Sequence, residues 1–313
     1  MAESRALQRS YPTDARMTRW HAPDGWDHRR FDWPVAPGTP PRGRILFQAG
    51  RGDMFEKYLE SFAHWRACGW SVTSFDWRGQ GGSGRCSPRA HCGHVERFAD
   101  YHADLAAFWA MWRAEGDGPT IAIGHSMGGF LLLRGLVDGA VTPDGAVFVA
   151  PMLGLKGPLG PRLAARLARW MRALGDPARP AWKGNERPAT TETRQSLLTR
   201  DTDRYEDELH WQQADRTLMT GPPSWNWVAE AFAGTLALAD DPRLDAMRVP
   251  LLALVAEADG LVDARAALAI LSKLPDARIE RFGRETAHEI LREADPVRDR
   301  ALAAIDGFLD ART

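Results

Sequence analysis

The residues Gly124-His125-Ser126-Met127-Gly128 form a GxSxG pattern, which is typical of a serine nucleophile on a tight turn. The pattern lies between an apolar run and an amphipathic stretch, so we expect a strand before the turn and a helix after it. Gly124 and Gly128 would let the strand and helix backbones approach each other closely. The alternative is a chance glycine-rich turn. We predict that Ser126 attacks an acyl carbonyl.

A serine hydroxyl is a weak nucleophile, so this chemistry needs a base to take its proton and an acid to orient that base. After a GxSxG turn, the expected chain order is serine, acid, histidine. Of the nine histidines, only His288 follows the last predicted strand, and it is our candidate base. A residue making local hydrogen bonds at a helix start is the alternative for His288. We expect the His125 side chain to point away from the site.

Three carboxylates, Glu257, Asp259 and Asp263, follow the apolar run that precedes this histidine. Asp259 is our candidate acid because it lies in a turn-like Ala-Asp-Gly setting at the end of a predicted strand. Asp263 is expected to cap the next helix, and Glu257 is the reserve candidate. An ordinary turn residue remains the alternative for Asp259.

Acyl transfer also needs N–H donors for the negatively charged oxygen of the tetrahedral intermediate. The residue after the nucleophile, Met127, is the first expected donor. The second should lie in the loop Gln48-Ala49-Gly50-Arg51-Gly52, where glycines permit tight backbone geometry. We predict the N–H of Arg51, although many hydrolases have His-Gly where this chain has Ala49-Gly50.

Short apolar runs alternate with longer helical patterns, which predicts an α/β protein with a mostly parallel sheet flanked by helices. The predicted strands are Arg44 to Gln48, Trp70 to Phe75, Thr120 to Gly124, Ala146 to Ala150, Pro250 to Val255 and Ala277 to Phe282. The predicted helices are Met54 to Cys68, Phe98 to Ala114, Met127 to Val137, Ala264 to Lys273 and Pro296 to Leu309.

Residues 152–240 interrupt this alternation with a helical, proline-broken segment, so we predict a cap inserted into a core of residues 1–151 and 241–313. The segment holds five of the thirteen tryptophans, for which core packing is the simpler interpretation and an acyl-chain pocket the alternative. Its stretch from Pro161 to Leu174 has a cationic face and an apolar face. Peripheral membrane contact and packing on the core explain that pattern equally well.

The balance of 40 basic and 41 acidic residues gives a net charge of -1, which argues against nucleic acid as a partner. The N-terminus lacks the apolar core of a secretory signal, and no stretch has the roughly 20 apolar residues of a membrane span. Three cysteines without zinc-ligand spacing fit a reducing compartment. We therefore expect a cytoplasmic protein without a metal or cofactor.

A longer series of motifs resembles the bacterial inner-membrane lysophospholipases, which are α/β hydrolases related to monoacylglycerol lipases in a serine aminopeptidase-like family. The similarity covers roughly residues 40 to 310. It is carried by DWRGQGGSGR from Asp76, GHV from Gly93, DLAAFW from Asp104, GHSMGG from Gly124, LLTR from Leu197, GPPSWNW from Gly221 and HEIL from His288. Arg78, Arg85 and Asp76 lie in a glycine-rich loop without a phosphate-binding signature, which we interpret as scaffold.

The resemblance implies an α/β-hydrolase fold and hydrolysis of one acyl ester in a lysophospholipid or monoacylglycerol, with Ser126, Asp259 and His288 as the triad. It also raises the prospect of peripheral association with the inner membrane. A small-molecule carboxylesterase or a peptidase is the alternative within the same enzyme class, since this fold serves many esters. A catalytically silent binding protein is the alternative from another class. Oligomeric state is not indicated by the sequence.

Overall fold

An eight-stranded sheet organises the described part of the protein. The computed structural model describes residues 9–89, 91–182 and 194–312. Its strands are β1 (Arg16–His21), β2 (Asp27–Trp33), β3 (Gly43–Gln48), β4 (Trp70–Phe75), β5 (Thr120–His125), β6 (Gly145–Val149), β7 (Leu251–Ala256) and β8 (Ala277–Phe282). The six predicted strands are confirmed, each to within one residue at either end.

The strand order is β1-β2-β4-β3-β5-β6-β7-β8. The six strands from β4 to β8 in this order run parallel, whereas β1 and β2 pair antiparallel with each other and β2 pairs antiparallel with β4. The sequence analysis did not predict this N-terminal hairpin. Its strands lack an apolar alternation, because β1 is largely exposed and β2 buries His28 and Arg29.

Nine helices are found among the described residues. They are α1 (Leu59–Ala67), α2 (Phe98–Ala114), α3 (Met127–Val137), α4 (Pro161–Ala173), α5 (Arg194–Leu198), α6 (Thr202–Ala214), α7 (Trp225–Ala239), α8 (Ala264–Leu271) and α9 (Asp295–Asp310). The helix predicted from Met54 begins only at Leu59, because Phe55–Tyr58 form a 3-10 turn. The other four predicted helices are confirmed to within two residues.

The central strands β5, β6 and β7 are buried along their whole length. Apolar side chains from both faces of the sheet form two clusters, one containing Leu46, Ala122 and Phe148 and the other containing Ile45 and Ile123. A parallel sheet with helices on both faces buries its strands in this way, so their sequences are continuously apolar. The carboxyl ends of these strands meet at one edge, where the loops that follow β3, β5 and β7 lie.

The loop after β4 is held by ion pairs and turns. Asp76 accepts hydrogen bonds from Arg29 and from the N–H of Gly82, at 2.8 and 2.7 Å. Arg78 forms a buried pair with Asp104, and Arg85 donates to backbone carbonyls. The interpretation of this motif as scaffold is confirmed.

Between β6 and β7 the described residues form four α-helices, α4 to α7, of which α4 packs against α7. Residues 183–193 of the predicted cap lie outside the described residues. The five tryptophans of this segment differ in their surroundings: Trp211 packs against Tyr11, Trp170 is exposed, and Trp182, Trp225 and Trp227 line a cavity. Core packing is confirmed for Trp211, whereas the acyl-chain pocket stays a prediction for the three tryptophans that line the cavity.

A cluster of buried charges ties helix α6 to the sheet. Lys57, in the 3-10 turn after β3, forms ion pairs with Asp53, with Glu208 of α6 at 3.2 Å and with Glu289. Arg292 also pairs with Glu289. The side chains of all five residues are at least 95% buried. The paired charges compensate for their removal from water.

The charges of this cluster keep its acids ionised. Burial alone would raise the pKa of Asp53, but the Lys57 ammonium and hydrogen bonds from His125 lower it well below its usual value. Burial also opposes ionisation of Glu208, and the charges of Arg194, Lys57 and Arg292 nevertheless lower its pKa to about 2. The cluster therefore depends on its cations.

Replacing Lys57 with methionine should lower the free energy of unfolding by about 3–5 kcal/mol, because three buried carboxylates lose a shared counter-charge. Urea unfolding followed by circular dichroism measures this difference. The control is Lys273→Met, at an exposed lysine that donates to the carbonyl of Ala239, which should change stability by about 0.5 kcal/mol or less. A Lys57→Met protein as stable as wild type would contradict the assigned role of the cluster.

Candidate active site

Ser126 lies on a strained turn between β5 and α3. Its φ of 51° and ψ of −116° are a conformation that non-glycine residues rarely adopt. A Cβ at Gly128 would lie 2.2 Å from the carbonyl oxygen of Gln48, and one at Gly124 would lie 2.7 Å from the backbone of Gly128. The two glycines of the motif are therefore required where strand and helix backbones meet.

Asp259 and His288 are brought together at the same edge of the sheet. Asp259 follows β7, and His288 lies in the loop between β8 and α9. The Nδ1 of His288 lies 2.6 Å from Oδ2 of Asp259, so the imidazole donates to the carboxylate. The second carboxylate oxygen accepts from the N–H groups of Leu261 and Val262, at 2.7 and 3.0 Å. Asp259 is thus fixed in position by its own turn.

Asp259 and His288 each shift the pKa of the other. Burial alone would raise the pKa of Asp259, but the charge and hydrogen bond of His288 and two backbone N–H groups lower it. Burial alone would lower the pKa of His288, but the charge and hydrogen bond of Asp259 raise it above its ordinary value of 6.5. Asp259 therefore stays ionised and stabilises a proton on the imidazole.

The two other carboxylates considered from the sequence lie elsewhere. The side chain of Glu257 is about half exposed and lies 3.4 Å from Arg281. Asp263 accepts hydrogen bonds from the N–H groups of Arg265 and Ala266, which confirms its predicted role as the cap of α8. Of the three, only Asp259 is hydrogen-bonded to His288.

Of the two predicted oxyanion donors, Met127 follows Ser126 directly in the chain, and Arg51 lies in a loop that passes beside the serine. Met127 is the first residue of α3, where backbone N–H groups point out of the helix end. A Cβ at Gly50 would lie 3.1 Å from the Cβ of Ser126, so the loop containing Arg51 passes beside the serine. The N–H groups on either side of Arg51 are bonded, that of Gly50 to Asp53 at 3.0 Å and that of Gly52 to Gln80.

His125 does not point away from the site, so that prediction was wrong. Its ring lies 4.8 Å from the ring of His288 and lines the same cavity. Its Nδ1 lies 3.2 Å from Asp53 and 2.9 Å from the hydroxyl of Tyr58, and its Nε2 lies 3.4 Å from the carbonyl oxygen of His288. These buried partners hold the ring inward.

Asp53 and Tyr58 are site residues that the sequence analysis missed. Asp53 accepts hydrogen bonds from the N–H of Gly50, the hydroxyl of Tyr58 and the ammonium of Lys57. The available signal was the spacing of four residues between Asp53 and Lys57, which is common on exposed helices. Nothing in that spacing indicates burial.

Ser126 and His288 both line a cavity of about 800 Å³. Its wall is mostly apolar and includes Met152, Leu155, Leu159, Ala164, Leu167, Trp182, Trp225, Trp227, Val228, Phe232 and Val262. Charged residues also line it, namely Arg51, Asp53, Lys156, Arg194 and Glu289. A nucleophile, a base and a large apolar volume therefore share one space.

Among the described residues, one group of side chains could hold a metal ion, and it does not line this cavity. His64, Cys68 and Asp306 have their ligand atoms within 4.8 Å of one another, between α1 and α9. Nε2 of His64 lies 2.7 Å from Asp306, so a hydrogen bond accounts for the proximity of these two side chains. Acyl transfer by Ser126 would not involve this group.

The sequence of this chain is similar to those of known hydrolases. Residues 39–295 match the sequence model of the family described as serine aminopeptidase, S33. Lysophospholipase L2 of Escherichia coli K12 is 32% identical over 288 residues, covering 85% of this chain and 80% of the relative. A probable lysophospholipase L2 of Haemophilus influenzae is 26% identical, with coverage of 89% and 87%.

Solved structures of similar fold include a soluble variant of monoglyceride lipase from Saccharomyces cerevisiae, with a TM-score of 0.75, 19% identity and 97% coverage of both chains. The monoacylglycerol lipase of Paleococcus ferrophilus has a TM-score of 0.69 and 19% identity, with 91% of this chain and 98% of that chain covered. These similarities confirm the predicted fold class. The chain belongs to the serine aminopeptidase S33 family and has the α/β-hydrolase fold.

Proposed function

We propose that the protein hydrolyses the acyl ester of a lysophospholipid or monoacylglycerol, with Ser126 as nucleophile, His288 as base and Asp259 as the acid. The observation that carries this proposal is the 2.6 Å contact between His288 and Asp259 at a mostly apolar cavity that the strained Ser126 also lines. The names of the bacterial relatives, lysophospholipases L2, support an ester of this class.

In this mechanism His288 takes the proton of the Ser126 hydroxyl while the serine oxygen attacks the carbon of the acyl carbonyl. The N–H groups of Met127 and Arg51 hold the resulting oxyanion. His288 then gives the proton to the leaving alcohol oxygen, and the carbon–oxygen bond of the ester breaks. Water, deprotonated by His288, then attacks the acyl-enzyme. The bond between the acyl carbon and the Ser126 oxygen breaks, His288 returns the proton to that oxygen, and the fatty acid leaves. Asp259 stabilises the imidazolium at each step.

Residues 152–240 are, in this proposal, a cap over the sheet edge that accommodates the acyl chain. They contribute most of the apolar cavity wall, including Leu159, Leu167 and Phe232. A cavity of about 800 Å³ matches the size of pockets that enclose ligands with many carbon atoms. This favours a long-chain ester over a short soluble one.

The cavity is less suited to a free peptide amine, which the family description would otherwise suggest. Recognition of an ammonium group requires a carboxylate with an unused charge. The two acids that reach the cavity, Asp53 and Glu289, are already paired with Lys57, and Glu289 is also paired with Arg292. The charges at the cavity therefore favour an ester over an aminopeptidase substrate.

We also propose that α4 contacts the membrane surface from which a lipid substrate would be taken. Leu163, Leu167, Trp170 and Leu174 recur at helical spacing and are 41–60% exposed. The buried residues of this helix, Ala165 and Ala168, lie on the opposite face. The apolar stripe is therefore directed away from the core, and Leu167 also lines the cavity.

Basic residues flank this stripe, as expected for a helix that lies on anionic lipid. Arg162, Arg166 and Arg169 share one side of the helix next to the leucines. In the described parts of the chain, no helix is long and apolar enough to cross a bilayer. Contact through α4 would be peripheral and would bring the cavity close to the lipid surface.

Ser126→Ala should lower kcat/KM on a long-chain lysophospholipid by at least about 10³-fold and abolish labelling by a fluorophosphonate. Mass spectrometry of the wild-type protein should locate the adduct on Ser126. The matched control is Ser272→Ala, at the exposed end of α8, which should behave as wild type. Unlabelled wild-type protein without ester hydrolysis would instead support a silent binding protein.

The kcat/KM of wild type should fall as the pH decreases through a value above 6.5, because the raised pKa of His288 sets the pH below which the base is protonated. In Asp259→Asn, burial acts without the opposing carboxylate charge, so the inflection should move to lower pH. The rate itself should fall by roughly 10³–10⁴-fold. An unchanged inflection in Asp259→Asn would contradict the assignment of this acid.

Leu163→Glu and Trp170→Glu should each weaken binding to vesicles containing phosphatidylglycerol by roughly tenfold, since burying such a side chain contributes about 1.5 kcal/mol or more. Vesicle sedimentation measures this, with unchanged Tm as evidence of folding. Met17→Glu, at an exposed apolar residue of β1, is the control and should bind as wild type. Equal binding by all four proteins would rule out α4 as the contact.

A further inference from the structure

We infer that the side chain of Arg51 binds the phosphodiester of a lysophospholipid and so favours that substrate over an uncharged monoacylglycerol. This inference rests on the proposed function, because it assumes that the ester is cleaved at Ser126. It assigns a second task to a residue whose backbone N–H is already proposed to hold the oxyanion.

The position of Arg51 is the first support. Its backbone belongs to the loop that passes beside Ser126, where a Cβ at Gly50 would lie 3.1 Å from that of the serine. Its guanidinium donates to the carbonyl of Gly221 at 3.0 Å and lies 5.5 Å from the ring centroid of Trp227. Arg51 and Trp227 both line the cavity. These contacts hold a positive charge at the wall of the cavity that Ser126 also lines.

The dimensions of the substrate are the second support. Five bonds separate the ester oxygen of a lysophospholipid from its phosphorus atom, which corresponds to roughly 6 Å when they are extended. An extended arginine side chain spans about 7 Å from its own backbone nitrogen to the guanidinium carbon. An arginine whose N–H contacts the oxyanion can therefore reach the phosphate of the same lipid molecule.

The charges around the cavity are the third support. The cavity acids Asp53 and Glu289 are neutralised by Lys57 and Arg292 in the buried cluster. Three cations reach the cavity, Arg51, Lys156 and Arg194, of which Arg194 pairs with Glu208. An anionic group such as a phosphodiester is therefore favoured over an uncharged one, and a guanidinium binds phosphate oxygens in a planar, two-pronged geometry. The uncharged glycerol hydroxyl of a monoacylglycerol would gain little binding free energy from these cations.

The test compares two substrates with the same acyl chain, a lysophosphatidylcholine and a monoacylglycerol, each diluted into the same nonionic detergent micelles. In Arg51→Gln, which keeps the backbone N–H, the ratio of kcat/KM for the lysophospholipid to that for the monoacylglycerol should fall roughly 10- to 100-fold. The loss should appear mainly in KM. Partial unfolding of a variant lowers both kcat/KM values by the same factor, so it does not change their ratio.

Arg51→Lys retains the charge without the planar geometry and should give an intermediate ratio. The control is Arg278→Gln, which makes the same charge change at an exposed residue of β8 and should leave the ratio as in wild type. An unchanged ratio in Arg51→Gln would overturn the inference, even if both activities fall together. Failure of the proposed function is distinct, since wild type would then hydrolyse neither lipid.

Discussion

The buried carboxylate of Asp53 is the interaction on which the geometry of the site depends. One of its oxygens, Oδ2, contacts both the N–H of Gly50, in the loop beside Ser126, and the ring of His125, whose other ring nitrogen contacts the carbonyl of His288. The same carboxylate is paired with Lys57. One charged group thus connects three chain segments that must keep a fixed distance for proton transfer, and in a buried setting its bonds are strong only while it stays ionised.

This arrangement explains why so many charges are buried close to an apolar cavity. Lys57 would be costly inside the protein on its own, and so would each of the acids that surround it. Glu208 comes from α6, whereas Glu289 follows directly after His288 in the chain. The ion pairs therefore couple the folding of the segment between β6 and β7 to the position of the histidine loop. Apolar contacts alone would allow these parts to slide, because dispersion and hydrophobic forces have little direction.

The sequence predicted those parts of the structure that depend on local patterns. The strand before Ser126, the helix after it and the cap at Asp263 are each encoded within a few residues, and the parallel strands are continuously apolar. The N-terminal hairpin and the inward position of His125 were missed because their causes lie far away in the chain. His125 is held by Asp53, which is 72 residues distant, and β2 buries Arg29 against Glu56 and Asp76. No pattern in a short window of sequence specifies such partners.

Because of the same long-range ion pairs, the net charge of the protein does not indicate the charge at the cavity. A net charge of -1 excludes a broad electrostatic field, yet it is silent on how acids and bases are distributed around one cavity. Lys57 and Arg292 neutralise Asp53 and Glu289 from outside the cavity. The cations of the cavity wall therefore determine the local electrostatic potential. Under the proposed function, selectivity between a charged and an uncharged lipid would then depend also on residues outside the cavity, because loss of Lys57 or Arg292 would leave a carboxylate at the cavity without its counter-charge. Under the proposed function, the buried cluster would contribute to substrate recognition as well as to the fold.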